Sequence, residues 1–345
     1  MRYAVVFGGA SFEHEISIIS AIALKSALKA ELSFVFVDKN REFYLIESQN
    51  MRANFFSSGK YKSCKKLFIT NGGLQSRGLF GSKMLDAQCY INLIHGADGE
   101  DGKLAGLFEF FEVPFIGARL EASVMSFNKV LTKLLAQKCG VKTLPYEAVS
   151  RGQKPSLPLP YILKPARLGS SIGVSVVRSE EEVDYALDLA FEFDNEVLVE
   201  PFVAGVREFN LAGFKSGEQV EFSFVEEPAK KEFLDFEQKY TGFTQRQIGE
   251  AQISPELKQK LQAAFSALYK GGGFEGALVR CDFFEIDSEV YLNEINPHPG
   301  SLANYLFSDF TAAVESLAKS LPKSGKIAVE YNFINQITRA KGKLA

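Results

Sequence analysis

The chain has 345 residues, 46% of them hydrophobic and 23% charged, with a formal net charge of -3. That length exceeds one simple core and suggests roughly two or three domains of an ordinary globular protein. The charge excludes a bulk attraction to nucleic acid or to an anionic membrane, so any anionic ligand has to be held by a local cluster of cations.

Residues 3–7 read as a buried strand that turns at Gly8-Gly9-Ala10-Ser11 into an amphipathic helix over 15–29. The apolar start meets its glycines too early for a signal peptide. Residues 32–37 and 89–93 are further strands. The second ends in the Gly- and acid-rich loop 95–102, ahead of a helix over 103–111, and such strand-end loops are where α/β sheets usually bind ligands. A helix over about 126–138 opens a second unit, and Pro155, Pro158 and Pro160 make 151–160 a loop. Strands follow at 161–165 and 174–177, then a helix at 180–191. A strand at 196–200 leads into Pro201-Phe202-Val203. Strands at 208–214 and 220–225 suggest a third unit. The polar and aromatic stretch 230–249 has no clean periodicity, as active-site lids often have none. A helix over 255–269 precedes two strands, 275–286 and 290–295, joined by an Asp287-Ser288 turn.

Cys64, Cys89, Cys139 and Cys281 form no C-x-x-C pair, and His14, His95 and His298 lack zinc-site spacing. A reducing cytosol is the expected compartment, and no run approaches the ~18 apolar residues of a membrane helix.

The last hairpin carries the densest chemistry. Antiparallel pairing brings Asp282 close to Glu294 and Asn296, with Arg280 beside them. Two carboxylates and an amide oxygen suit Mg²⁺, although a surface hairpin with ordinary charges has the same pattern. Lys164-Pro165-Ala166-Arg167-Leu168-Gly169-Ser170-Ser171-Ile172-Gly173 joins two strands. It is no P-loop, but a strand–glycine loop–strand can fold backbone N–H groups over phosphates, with Lys164 adding a point charge. Gly8-Gly9 lacks the spacing of a dinucleotide fingerprint. Glu13-His14-Glu15 opens a helix, where N-terminal capping alone accounts for one acid. Taken singly, His95, Lys129 and Lys239-Tyr240 are equally compatible with structural or solvated roles.

Together these residues resemble the D-alanine–D-alanine ligases of the ATP-grasp superfamily over nearly the whole chain. One signature is similar to Phe7-Gly8-Gly9-Ala10-Ser11-Phe12-Glu13-His14-Glu15-Ile16-Ser17, and the other to Glu294 with Asn296-Pro297-His298-Pro299-Gly300. Between them lie His95-Gly96, Gly99-Glu100-Asp101-Gly102, Gly169–Gly173 and Lys239-Tyr240. The resemblance implies an α/β, mixed α+β, ATP-grasp fold with an N-terminal Rossmann-like domain. Its three parts would be 1–122, 123–206 and 207–345, with a lid at 230–249.

The resemblance also implies roles. Lys129 and Lys164 would contact ATP phosphates beneath a flap containing Gly169, Ser170, Ser171 and Gly173. Glu200, Pro201, Phe202 and Val203 would form the adenine hinge, with Glu208 on the ribose, although one extra residue separates Glu200 from Glu208 compared with many relatives. Lys239 would reach the terminal phosphate. Asp282, Glu294 and Asn296 would hold two Mg²⁺ or Mn²⁺, with Glu294 bridging. Glu15 would pair with the first D-alanine's ammonium and form a hydrogen-bonded set with Ser170 and Tyr240. His95 would lie near that substrate's carboxylate, while Arg280 and the Gly300 N–H would stabilise the oxyanion.

The implied reaction is ATP-dependent joining of two D-alanines through an acyl phosphate, for peptidoglycan synthesis. The implied protein is a cytoplasmic homodimer with no nucleic-acid or membrane partner. A ligase making D-alanyl-D-serine or D-alanyl-D-lactate is the alternative, and Lys239-Tyr240 favours an amine acceptor over D-lactate. A non-catalytic nucleotide-binding protein would have lost Arg280, Glu294 or a phosphate lysine, and none is lost. Tyr305 stands where many relatives have a serine for the second substrate's carboxylate.

Overall fold

The N-terminal apolar run forms β1 (Arg2–Gly8), in which Ala4, Val5, Val6 and Phe7 are completely buried. A strand apolar on both sides needs cover on both faces, which parallel neighbours with crossover helices supply. The helix α1 (His14–Ala27) makes one such crossover to β2 (Glu31–Val37), parallel to β1. At the turn, Gly8 has φ +102°, and a Cβ there would stand 2.2 Å from the Val37 carbonyl oxygen, so only glycine fits. This is a computed structural model, and it describes residues 1–78, 81–228, 249–323, 325 and 327–341.

Beyond β2 the sheet continues as an antiparallel meander of β3 (Phe43–Ile46), β4 (Lys65–Thr70), β5 (Gly73–Gly78) and β6 (Gly81–Met84), with α2 (Ala53–Ser57) between β3 and β4. The sequence pattern does not announce these strands. They are short, and β6 is exposed throughout, so apolar alternation is weak. On its other side β1 pairs with β7 (Cys89–Asn92), and α3 (Lys103–Phe110) returns the chain to parallel β8 (Phe115–Ile116).

The helix expected over 126–138 is two helices, α4 (Leu120–Phe127) and α5 (Lys129–Lys138). The break is at Asn128, whose side-chain oxygen accepts from the N–H groups of Val130 (2.9 Å) and Leu131 (3.3 Å). That is N-capping geometry, and it makes Lys129 the first residue of α5.

After β9 (Lys142–Thr143) come β10 (Glu147–Ser150), β11 (Tyr161–Pro165), β12 (Ser175–Val177) and, beyond α6 (Val183–Phe191), β13 (Glu196–Pro201). The last four form an antiparallel sheet in the order β10-β13-β11-β12, with α6 packed on it. A third sheet contains β14 (Arg207–Ser216), β15 (Gln219–Phe222), β16 (Val279–Ile286) and β17 (Glu289–Asn296), with β9 added parallel to β17. Phe209, Leu211, Cys281, Phe283, Leu292 and Ile295 are buried in one core with Leu261 and Phe265 of α7 (Pro255–Gly271). Strand alternation therefore turns Glu208, Asn210, Arg280 and Asp282 to the opposite face. Asp287 and Ser288 both have positive φ, 52° and 63°, as a two-residue hairpin turn requires.

Two further helices, α8 (Phe310–Lys319) and α9 (Asn332–Lys341), follow. The fold is the mixed α/β class expected. The expected lid lies outside the described residues apart from Gly249. Among the described residues no helix is long and apolar enough to cross a membrane.

Candidate active site

The β16–β17 ladder pairs Asp282 with Glu294 and Arg280 with Asn296. Arg280 grips Asp282 with two hydrogen bonds, Nε to Oδ1 and Nη2 to Oδ2, both 2.7 Å, and Asn296 Nδ2 adds a third at 3.1 Å. Burial pushes the Asp282 carboxyl up to about 6; Arg280 opposes this and Glu294 adds to it. Burial works against the Arg280 charge, but Asp282 outweighs it and holds the guanidinium well above its ordinary value. Two carboxylates and an amide oxygen are hard donors, and the mutual repulsion of the acids is what a divalent cation would relieve. The residues present fit such an ion.

Glu294 and Asn296 share a cleft with Lys129, Leu168, Gly169 and Glu100. Lys129 donates from Nζ to the Leu168 carbonyl. Burial lowers its pKa, against the pull of Glu294. A cation at a helix N-terminus opposes the helix dipole, an arrangement that makes electrostatic sense where an anion binds. Lys164 Nζ donates to Glu200 Oε2 (2.9 Å) and to Asn293 Oδ1 (3.1 Å). Burial disfavours its charge, but Glu200 outweighs that and raises its pKa. Pro201 ends β13 opposite Tyr161, and the Phe202 N–H donates to the Pro160 carbonyl at 3.0 Å. Val203 follows, partly exposed, and Glu208 is exposed on β14, opposite Phe284.

One expectation is corrected. Glu13, not Glu15, meets the flap: Glu13 Oε1 accepts from Ser170 Oγ at 2.5 Å and Oε2 from the Gly169 N–H at 3.3 Å. Glu13 is buried and Glu15 is exposed. The helix begins at His14, so two residues onward is about 200° around its axis and faces away. Burial raises the Glu13 pKa, and the Ser170 hydrogen bond opposes it. Ser170 and Ser171 adopt left-handed φ of 58° and 59°, and Gly173 one of 69°.

His95 is buried, with Nε2 2.9 Å from Ser20 Oγ and Nδ1 4.0 Å from Glu100 Oε1. Burial, with Arg280 adding to it, pulls its pKa down to about 4, so the ring is neutral near pH 7. Ser20 Oγ also accepts from the Ser301 N–H (3.1 Å), which ties His95 to the turn that begins at Gly300. Lys239 and Tyr240 lie outside the described residues.

Four further residues belong to this cluster. Glu100 accepts from the Gly96 N–H at 2.9 Å and is held well above the carboxylate range by burial and by Glu13. Lys133 donates to Glu200, Asn293 accepts from Lys164, and Glu226 accepts from Asn210 (2.9 Å) and from the Tyr305 hydroxyl (3.2 Å). Lys133 follows Lys129 by four residues, a one-turn spacing that was the available signal.

Residues 2–118 match the family model described as "D-ala D-ala ligase N-terminus", and residues 135–316 the one described as "D-ala D-ala ligase C-terminus". The chain is 61% identical to a D-alanine–D-alanine ligase of Campylobacter concisus over 343 residues, 99% of each protein. It is 56% identical to the ligase of Campylobacter lari over 347 residues, all of both. The crystal structure of D-alanine–D-alanine ligase from Helicobacter pylori superposes with a TM-score of 0.84 at 49% identity, covering 94% of this chain and 100% of that one. With both halves matched in order, the chain belongs to the D-alanine–D-alanine ligase family.

Proposed function

We propose that this chain joins two D-alanine molecules to D-alanyl-D-alanine at the cost of ATP, for peptidoglycan synthesis. The observation that carries the reading is one cleft lined by Lys129, Gly169, Glu294 and Asn296, in which Gly169 and its neighbour Ser170 are bonded to Glu13, and Glu294 and Asn296 are paired with Asp282 and Arg280. A carboxylate does not acylate an amine near pH 7, because its oxygen is a poor leaving group. The carboxylate oxygen of the first D-alanine attacks the terminal phosphorus of ATP, and the bond to ADP breaks. The amine of the second D-alanine adds to the acyl phosphate, giving a tetrahedral oxyanion. Phosphate leaves, the nitrogen loses a proton, and the amide remains.

Glu13 takes the role first expected of Glu15, holding the first ammonium with Ser170 and Tyr240. His95, neutral, lies toward that substrate's carboxylate. Lys129, Lys164 and Lys239 neutralise phosphate charge under the flap of Gly169, Ser170, Ser171 and Gly173. Glu200 to Val203 hold adenine, and Glu208 the ribose. Arg280 and the Gly300 N–H face the developing oxyanion. Asp282, Glu294 and Asn296 would hold two Mg²⁺ or Mn²⁺ ions, which supply charge neutralisation for phosphoryl transfer. Family membership supports the division at 1–122, 123–206 and 207–345, a lid at 230–249, and a homodimer in the bacterial cytoplasm.

Phosphate release from ATP, measured with D-alanine, L-alanine, D-serine and D-lactate, tests the reading. Release with D-alanine alone is expected to dominate. No release with D-alanine would overturn it, and release requiring D-lactate would move the chain to the depsipeptide ligases.

A further inference from the structure

Glu200 carries two lysines where one would neutralise it. Lys133 Nζ donates to Oε1 and Lys164 Nζ to Oε2, the latter at 2.9 Å. The two cations are not equivalent. The Lys133 side chain is 1% exposed and bonds Glu200 alone among the described residues, whereas the Lys164 side chain is 14% exposed and also bonds Asn293 on the strand of Glu294. Lys164 therefore has other anions within reach of its stem, and Lys133 is committed to Glu200.

We propose that Lys133 is a positioning residue that keeps Glu200 charged and in place when Lys164 leaves it for the phosphates of the nucleotide. The inference rests on the ATP-dependent reading above. An ionised carboxylate buried without a cation is costly, and the usual escape is to take up a proton. A protonated Glu200 would present a hydroxyl donor where the adenine hinge needs an acceptor. Lys164 and Lys133 are the cations that act on Glu200. The other charges around the pair act on the lysines: Glu294 on both, Glu208 on Lys164, while Lys129 is repelled by Lys164. With Lys133 present, Lys164 can move between Glu200 and phosphate with no change in the protonation of Glu200. Without it, the same movement is linked to proton uptake.

Linkage gives a readout that a merely structural lysine would not move. In Lys133→Met the free enzyme retains the Lys164–Glu200 pair, so the carboxylate stays compensated until nucleotide binds. Binding of MgATP, measured by calorimetry without D-alanine in buffers of different ionisation enthalpy, should then take up close to one proton. The dissociation constant should rise up to about tenfold per pH unit between pH 7 and 8.5, relative to the wild type. Lys133→Arg should restore the wild-type pH profile. Glu200→Gln in the Lys133→Met background should abolish the proton uptake, because no carboxylate remains. Lys133→Gln, which keeps a donor but no charge, replaces the methionine variant if that one unfolds.

Wild-type affinity, pH profile and proton count in the uncharged variants would overturn the inference while leaving the ATP reading intact. A wild-type chain that binds no MgATP would overturn the reading itself, and the inference with it.

Discussion

Asp282 faces Glu294 across the β16–β17 ladder because Asn293 is inserted as a bulge between Leu292 and Glu294. From the turn, the register runs Ile286–Glu289, Glu285–Val290, Phe284–Tyr291 and Phe283–Leu292, and then shifts by one. Continued without the shift, it would set Asp282 opposite Asn293 and Glu294 opposite Cys281, in the apolar core beneath α7. A one-residue slip moves every following side chain to the other face. The bulge thus delivers both Glu294 and Asn296 to the face of Arg280 and Asp282, and its own extra residue accepts from Lys164 at 3.1 Å.

Glu294→Gln should reduce turnover by at least ~10³-fold, because it removes a charge from the proposed metal site. Its melting temperature should be unchanged or higher, since the two half-buried acids that face each other repel. Deletion of Asn293 should cost as much activity and also destabilise the fold by burying Glu294. Near-normal turnover of either variant, with Mg²⁺ saturating, would refute the metal assignment.

Glu13 and Glu15 separate cleanly by mutation. A buried charged hydrogen bond contributes roughly 1.5–3 kcal/mol, so Glu13→Gln should lower kcat/KM for the first D-alanine about 10- to 100-fold. Glu15→Gln alters an exposed side chain and should stay within about twofold. Steady-state kinetics of both variants decide it; the reverse ranking would restore Glu15.

That exchange shows where the sequence stops being readable. Glu13 and Glu15 flank the first residue of a helix, and which one faces the flap depends on where the helix starts, the least legible feature of a helix. Arg280, Asp282, Glu294 and Asn296 were legible because a two-residue turn between apolar strands fixes the hairpin. The bulge that orients them was not, since Asn293 adds no turn signal. Lys133 offered only its one-turn spacing from Lys129, which does not single it out: a lysine on an amphipathic helix reads as solvated until Glu200 is placed beside it. The order of β1, α1 and β2 was legible from their apolar patterns, and β3 to β6 were not, because these short strands bury few of their residues and β6 none.

His298 should make stability fall in mild acid. It is 1% exposed, Nδ1 has no hydrogen-bond partner among the described residues, and burial pulls its pKa down to about 3, with His95 adding to it. A folded pKa below the unfolded 6.5 means that the unfolded chain binds the proton first. This contribution is complete above pH 6.5 and is lost as pH falls toward 3. Between pH 7 and 5 it amounts to roughly 2 kcal/mol. His298→Asn should flatten the urea-midpoint profile over that range by about this amount, although its stability at pH 7 is lower. An unchanged slope would mean that His298 is protonated in the native state.

The hydroxyl of Tyr305, the residue expected at the acceptor end, is already engaged, donating to Glu226 at 3.2 Å. Burial holds that hydroxyl up at about 12, with Arg280 opposing, so it is a neutral donor at physiological pH. Tyr305 also packs against the core that contains Leu302 and Leu306, which fixes the ring from behind. We propose that the ring bounds the acceptor end of the site while its hydroxyl stays on Glu226. Tyr305→Phe removes the hydrogen bond and keeps the ring; Glu226 still accepts from Asn210 at 2.9 Å. The expected cost is about 1 kcal/mol of stability, with the KM for the second D-alanine changed less than threefold. Tyr305→Ser opens a cavity, and should cost roughly 3–5 kcal/mol, as large aromatic truncations do, while admitting acceptors bulkier than D-alanine. A tenfold rise in acceptor KM for the phenylalanine variant, with ATP KM unchanged, would show instead that the hydroxyl leaves Glu226 to bind the acceptor carboxylate.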